Sequence, residues 1–361
     1  MANKYFRSSL YITLPDGTKK QLRFTGKTQK EADAKKAKAK AEYDAGILVI
    51  NNKTLFSKWV EEWLDVYKKP KVTNSSYREI KRIIGQVYSP LNNLKLCDIR
   101  LVHIQRCLNA MEGYSKSYID KCSFYIKDIF KQAQNSGLIQ NNPAMGLILP
   151  NSKKKVPRRA LTEKEVELFK KVMKTHHRGD FFGIMLACGL RPGEARALSA
   201  FSVNRKNHTI SVTNAVENNS TKIKAPKTGA GERIIPVPDW YWPILEKTVK
   251  KNSGFLFPNS SGQPMSKQRY LDAWHSFIRE MDIMAGAKTY RNKIILHSID
   301  QDLIPYSLRH TYATNLAELG VEITTAQYLL GHSDISITAN IYTHVTTKMI
   351  DSAREKMNSG N

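Results

Sequence analysis

The chain has 361 residues, with 57 Lys and Arg against 32 Asp and Glu, a formal charge of +25. This length predicts two or three domains at roughly 100 to 200 residues each. A hydrophobic content of 41% with 25% charged residues is ordinary for a chain that buries cores, so the positive excess belongs on folded surfaces and not in a disordered polycation. The longest nearly apolar run, residues 181–190, is about half of the roughly 20 residues needed to cross a bilayer, and residues 1–10 have no apolar signal core. The expectation is a soluble, unexported protein with no membrane partner. Cys97, Cys107, Cys122 and Cys188 form no C-x-x-C pair, and no histidine stands at zinc-ligand spacing, which argues against a disulfide framework and a structural metal. The positive surplus fits a polyanion, and nucleic acid fits better than lipid where no membrane-binding amphipathic anchor is present.

Residues 1–50 read as a β-hairpin about Pro15-Asp16-Gly17, then a helix that opens on a Thr28/Glu31 capping box and ends near Gly46, a unit of charge +6. From 51 to 150 the period becomes helical. Leu55, Trp59, Trp63 and Tyr67 share one face, and Tyr118, Cys122, Tyr125 and Ile129 another. Both stripes read as core of an all-α domain, with Thr54 and Ser115 as N-caps and Pro90 and Asn141-Asn142-Pro143 as breaks. Residues 151–160, NSKKKVPRRA, carry five positive charges and no acid. They form a linker, either a solvated tether or a track for phosphates through Lys153, Lys154, Lys155, Arg158 and Arg159. Residues 161–361 are mostly helical, with 163–174 led by Leu161-Thr162 and 180–188 as a buried helix. Segments 209–216, 221–225 and 233–237 alternate as short strands of one small antiparallel sheet. Beyond Thr347, Ile350, Ala353 and Met357 have helical spacing suited to docking on a neighbour or packing in cis.

In GLRPGEARALS, Arg191 precedes a proline suited to the first position of a helix. An arginine there lies beside free N–H groups and suits a phosphate oxygen, or simply pairs with Glu194. In IPYSLRHTYATNLAELG, Arg309, His310 and Tyr312 begin a helix with Ala313, Leu316 and Leu319 as core and Gly320 at its end. In YLLGHSDISITANIYTHV, Gly331-His332 closes one helix and Ser336 caps the next, which bears Tyr342.

Taken together and in this order, these three stretches resemble the tyrosine recombinase and phage integrase family, most strongly over residues 161–345 and by architecture alone over 1–150. The resemblance implies a multidomain, mainly α protein: an α+β arm-site binder (1–50), an all-α core-site binder (51–150), the basic linker (151–160), and a mostly α catalytic domain with a small antiparallel sheet (161–361). It implies that Arg191 and Arg309 clamp a scissile phosphate, that His332 is the histidine of the Gly-His pair, and that Tyr342 is the nucleophile. Lys227, in KAPKTGAGERIIPVP, then protonates the leaving 5′-oxygen, and Glu194 supports the helix of the first arginine. Lys222 and Lys224 are rivals for the acid, further DNA contacts, or strand-edge solubility charges. His310 belongs to the motif as a structural residue. Where the family usually has a histidine, three residues before the second arginine, this chain has Tyr306, which donates a hydrogen bond to phosphate or packs after Pro305.

Phosphoryl transfer asks mainly for positioning and charge stabilisation, which two guanidiniums supply; no metal or other cofactor is required. Cationic surroundings favour the phenolate of Tyr342. The implied reaction is site-specific strand exchange on double-stranded DNA through a 3′-phosphotyrosyl bond, by four protomers, in the cytoplasm of a bacterial host and at its nucleoid. An accessory bending or excision factor is a possible further partner. The rival readings are a type IB topoisomerase-like enzyme and a non-catalytic DNA-binding regulator on the same scaffold.

Overall fold

The computed structural model describes residues 5–13, 19–45, 53–154, 158–217, 221–224 and 231–343, and of the C-terminal stretch 350, 351, 354, 357 and 358. The chain divides into two compact units, Met1–Val156 and Pro157–Asn361.

The first unit opens with β1 (Phe6–Thr13) and β2 (Lys19–Gly26), antiparallel with Phe6 opposite Gly26 and Thr13 opposite Lys19. The expected Pro-Asp-Gly turn lies outside the described residues. Helix α1 (Gln29–Asp44) starts as its sequence requires: Thr28 Oγ1 accepts from the Glu31 N–H, while the Glu31 carboxylate reaches back to the Lys27 N–H. At its far end the Tyr43 hydroxyl bonds both the N–H and the carbonyl of Thr13, so the helix and hairpin are tied together.

Helices α2 (Phe56–Trp63), α3 (Asn74–Val87), α4 (Leu101–Asn109) and α5 (Lys116–Asn135) build an all-α core, with a π-helical turn at Leu64–Lys68. Trp59, Trp63, Cys122 and Ile129 are buried in it, as both stripes predict, with Tyr67, Tyr118 and Tyr125 packed at its margin. The expected caps differ. Thr54 does not cap α2, because the first N–H groups of the helix, Phe56 and Ser57, bond the carbonyls of Leu94 and Asn92, so α2 begins one residue later on Leu55 with no side-chain cap. Ser115 is the N-cap residue of α5 but makes no side-chain cap bond. Helix α5 ends at Asn135, where Gly137 takes φ +69 and the Gly137 and Leu138 N–H groups close on Gln134 and Ala133; the Asn-Asn-Pro run comes later and is a turn.

The linker is shorter than 151–160. Asn151 and Lys153 hydrogen-bond Gly113 and Tyr114 of the first unit. Arg159 belongs to the second, where it grips Glu165 bidentately at 2.6 and 2.8 Å and also reaches Asp302 and Asp300.

In the second unit, Thr162 and Glu165 form a capping box for α6 (Glu163–Thr175). Helix α7 (Gly179–Cys188) is buried except at the half-buried Asp180, and its Phe182 packs on Trp274 and Phe277 at 5.2 Å. Next come α8 (Pro192–Ala197), β3 (Val203–Asn204), β4 (Thr209–Val212), β5 (Ala215–Val216), β6 (Ile223–Lys224) and β7 (Arg233–Pro236). The expected single sheet is two. The stretch 209–216 breaks at the exposed Thr213-Asn214, so that β4 lies between β3 and β7 while β5 pairs with β6 alone. Helices α9 (Trp242–Lys251) and α10 (Lys267–Met284) follow, then an unexpected hairpin of β8 (Lys288–Tyr290) and β9 (Lys293–Leu296), then α11 (Pro305–Glu318), α12 (Ile323–Leu330) and α13 (Ile335–Tyr342). Ala313 and Leu316 of α11 are buried as expected. Leu319 is 74% exposed, because it is the C-cap residue where the helix turns away at Gly320, φ +68. Asp334, not Ser336, caps α13 by accepting from the Ser336 N–H. Ile350 and Met357 are exposed, and Ala353 lies outside the described residues. No described helix is long and apolar enough to cross a membrane.

Trp63 is fully buried, and its indole N–H donates to Asp128, which also pairs with Lys68 at 2.6 Å. Trp63→Ala is expected to destabilise the chain by about 3–5 kcal/mol, measured by urea unfolding. A loss below about 1 kcal/mol would mean that this core repacks around the gap.

Candidate active site

The site is built where the ends of α7 and α12, the start of α8 and the first turns of α11 meet. Helix α7 ends on Gly189 in the left-handed region, φ +64, where a Cβ would come within 2.2 Å of the Tyr312 ring, so the turn that leads to Arg191 requires glycine. Helix α8 starts directly after Arg191, α11 presents Arg309, and α12 ends on Gly331, φ +65, which delivers His332 to the same place.

Glu194 lies at the centre. Its carboxylate accepts from the Arg191 N–H at 2.9 Å and from Arg191 Nη1 at 2.7 Å. It also takes a bidentate pair from Arg233 at 2.8 and 3.2 Å. The surface pair weighed from sequence is therefore real but largely buried, and it is shared with a second arginine. Three guanidiniums also bond three successive carbonyls at the end of α12: Arg233 Nε to Leu329 at 2.8 Å, Arg309 Nη2 to Leu330, and Arg191 Nη2 to Gly331 at 2.8 Å. Arg309 Nη1 reaches Gly189 O at 2.8 Å. Arg309 Nε, buried, has no hydrogen-bond partner among the described residues.

Three arginines facing one carboxylate leave a positive cluster. Burial alone would raise Glu194, but Arg233 first, then Arg191 and Arg309, outweigh it and hold the carboxyl at about 2. Arg309 is pushed down to about 10 by burial and by Arg191. His332 is pushed down to about 4, mostly by burial and then by Arg309, Arg191 and Arg233, so its imidazole is neutral at neutral pH. Its Nδ1 lies 2.9 Å from Thr338 Oγ1, a fully buried hydroxyl on α13.

Of the residues expected from sequence, Arg191, Glu194, Arg309 and His332 come together. Tyr306 stands beside them, half-buried, with the Arg158 guanidinium 5.4 Å from its ring. His310 is half-buried. Tyr342 is not among the arginines. Its hydroxyl donates to Val321 O at 3.0 Å, and burial pushes its pKa up with no arginine acting on it. In this arrangement the phenol stays protonated at neutral pH. Lys227 and Lys155 lie outside the described residues. Lys153, Lys154 and Lys222 are exposed, and Lys224 faces Glu217 at 3.6 Å. Arg159 pairs with Glu165, Asp300 and Asp302. Among the described residues no cluster of three His, Cys, Asp or Glu could hold a metal ion. Sequence reasoning missed Arg233 and Thr338. The signal for Arg233 was present, since 233–237 alternates and places an arginine on the inward face of the strand.

The phage integrase family profile matches residues 159–349, and that of the phage integrase N-terminal SAM-like domain matches 55–111. Among similar proteins are a tyrosine recombinase XerC-like protein of Caldanaerobacter subterraneus subsp. tengcongensis, 28% identical over 98% of this chain and 96% of its own. Another is the transposase from transposon Tn916 of Enterococcus faecalis, 26% identical over 81% of this chain and 70% of its own. Among solved structures, the Tn1549 transposon integrase in complex with a circular intermediate DNA superimposes with a TM-score of 0.68 at 21% identity, over 84% of this chain and 99% of that one.

The buried histidines fix a pH dependence. His332 and His176 are both held at about 4, below the unfolded value of about 6.5. The unfolded chain takes up these protons first, so stability falls as pH drops from about 6.5 toward 4. Glu194, held at about 2, keeps its contribution until pH falls below the unfolded carboxyl value of about 4.3, so a comparison made between pH 7 and pH 5 reads the histidines. His332→Gln is expected to remove up to about 2 kcal/mol from the stability difference between pH 7 and pH 5, read by urea unfolding at each pH. An unchanged difference would mean that His332 is solvated and charged.

Proposed function

The chain belongs to the phage integrase family, and we propose that this tyrosine site-specific recombinase cuts and rejoins duplex DNA with Tyr342 as nucleophile at the arginine cluster. The observation that carries the reading is the buried positive site itself: three guanidiniums against one carboxylate, with the N–H of Arg309 Nε unpartnered among the described residues. An anion with several oxygens at tetrahedral spacing, a backbone phosphodiester, complements that set. Arg191, part-exposed, and Arg309 then stabilise the charge that grows on the non-bridging oxygens.

In this mechanism the Tyr342 oxygen attacks phosphorus, a phosphotyrosyl bond forms at the 3′ side, and the bond to the 5′-oxygen breaks. Lys227 donates the proton to that leaving oxygen. The phenol proton passes to His332, whose imidazole is unprotonated at neutral pH, or to water. Before attack, Tyr342 gives up its bond to Val321 O, and the end of α13 moves the phenol to the cluster. The 5′-hydroxyl of a partner strand reverses the reaction and joins two duplexes. Two duplexes each cut twice imply four protomers. Residues 1–50 would grip distal arm sites, 51–150 the core site, and Lys153, Lys154, Lys155 and Arg158 backbone phosphates. An accessory bending factor and integration or excision of a mobile element in a bacterial cytoplasm complete the reading.

The test uses the repeat recovered from DNA flanking the gene, built into a nicked suicide duplex. The wild-type chain should form a covalent adduct and join strands of different duplexes; relaxation of one duplex without joining would favour a topoisomerase-like enzyme, and tight binding without any adduct a regulator. Tyr342→Phe should bind the duplex and form no adduct, and an adduct that survives would remove Tyr342 from the role. Arg191→Ala and Arg309→Ala should each slow cleavage by about 10²–10³-fold with most binding retained. Equal losses of binding and cleavage would reduce them to docking contacts. Deleting residues 1–50 should spare cleavage of the short duplex and impair recombination of full sites; unimpaired recombination would end the arm-site reading.

A further inference from the structure

We infer that Arg233 is a positioning residue for the recombinase reaction: from strand β7 it clamps Glu194, and through Glu194 the Arg191 guanidinium, against the last turn of α12. The inference rests on the recombinase reading proposed above.

Arg233 has a fully buried side chain and makes four hydrogen bonds: two to Glu194, one to Leu329 O and one to Gly231 O. With its guanidinium committed and no exposed surface, it cannot take a phosphate directly, which separates it from the part-exposed Arg191. Its effect passes along a defined chain. Glu194 fixes Arg191 at two points, the backbone N–H and Nη1. Removing Arg233 leaves that carboxylate buried with half its donors gone. The Leu329 bond makes the second link, because Leu329 lies two residues before Gly331, whose carbonyl holds Arg191 and whose turn places His332. One side chain therefore sets the spacing between the helix that starts after Arg191 and the helix that ends before His332. The charged or titratable groups facing Glu194 are Arg191, from its own helix, Arg233 from β7, Arg309 from α11 and His332 after α12. Of these, Arg233 does most to keep Glu194 ionised despite its burial. Without it the carboxyl rises toward protonation, and a protonated Glu194 can no longer accept from both Arg191 donors.

The signature is a pH dependence that a simple packing defect does not produce. R233Q should bind the suicide duplex normally and form the covalent adduct roughly 10- to 100-fold more slowly, the range seen when partners that orient a metal site's ligands are removed. The deficit should be deepest at pH 6 and shrink as pH rises toward 9. R233K keeps the charge without the two-pronged fit and should recover part of the rate with a weaker pH trend. Wild-type rates for R233Q at every pH, or a loss that is the same at every pH and not relieved in R233K, would overturn the inference. If the wild-type chain itself formed no adduct, the recombinase reading would fail, and the clamp would still be tested without DNA. Thermal unfolding of full-length R233M should lose stability relative to wild type as pH rises from 5 to 8, because the unpaired carboxyl must ionise in a buried site, and E194Q/R233M should abolish that slope. The same slope in R233M and in E194Q/R233M would mean that Arg233 does not govern Glu194. Should R233M fail to fold, R233K against wild type over the same pH range is the deciding pair, and identical profiles would count against the clamp.

Discussion

The site depends on one shortage of hydrogen-bond partners. The last carbonyls of an α-helix have no intrahelical donors and carry the negative end of its dipole. At the end of α12, the carbonyls of Leu329, Leu330 and Gly331 instead accept from Arg233, Arg309 and Arg191 in turn. Three like charges gather in a space that one carboxylate could not neutralise, because each guanidinium finds a fixed dipole as well as a counter-ion. Gly331 makes this possible: its left-handed φ of +65 reverses the chain, so that its own carbonyl faces Arg191 while the next residue, His332, enters the cluster from the other side.

The three arginines differ in what they have left to give. Arg233 is fully buried and bonded to Glu194, Leu329 and Gly231. Arg309 is equally buried, and its Nε–H has no hydrogen-bond partner among the described residues, a costly state for a polar group away from water. Arg191 is part-exposed, tethered by Glu194 and Gly331 on one side. The three side chains thus differ in how much of their hydrogen-bonding capacity is already committed within the fold.

Local chemistry made much of this legible in the sequence. Thr28 and Thr162 cap helices through side chains three residues from a glutamate, Gly320 and Gly331 end them in the left-handed region, and the run 181–188 is too apolar to lie anywhere but the core. The motifs also identified Arg191, Glu194, Arg309 and His332. What was not legible depends on distant partners. Thr54 lost its cap because carbonyls near residue 94 satisfied α2 first. The strands between 203 and 236 are two to four residues long, and two exposed residues divide one apparent strand between two sheets. Arg233 drew no attention because its meaning lies in Glu194, 39 positions earlier. Tyr342 shows the limit of motif reading: spacing names a nucleophile but does not say where its hydroxyl points, and here it points to Val321.

That placement links the proton chemistry to the movement of a helix. Thr338 and Tyr342 lie four residues apart on α13, hence on one face. Thr338 holds His332 by Nδ1, so the segment that carries Tyr342 also orients the imidazole. With Nδ1 engaged, the ring's remaining nitrogen, Nε2, is the atom left to deal with a proton or a phosphate oxygen, and burial among arginines keeps the ring neutral for either task. Tyr306 is a phenol where the resemblance leads one to expect an imidazole, so the proposed reaction passes the Tyr342 proton to His332 or to water. A movement confined to the end of α13 would leave the Thr338 contact, and with it the placement of the imidazole, unchanged.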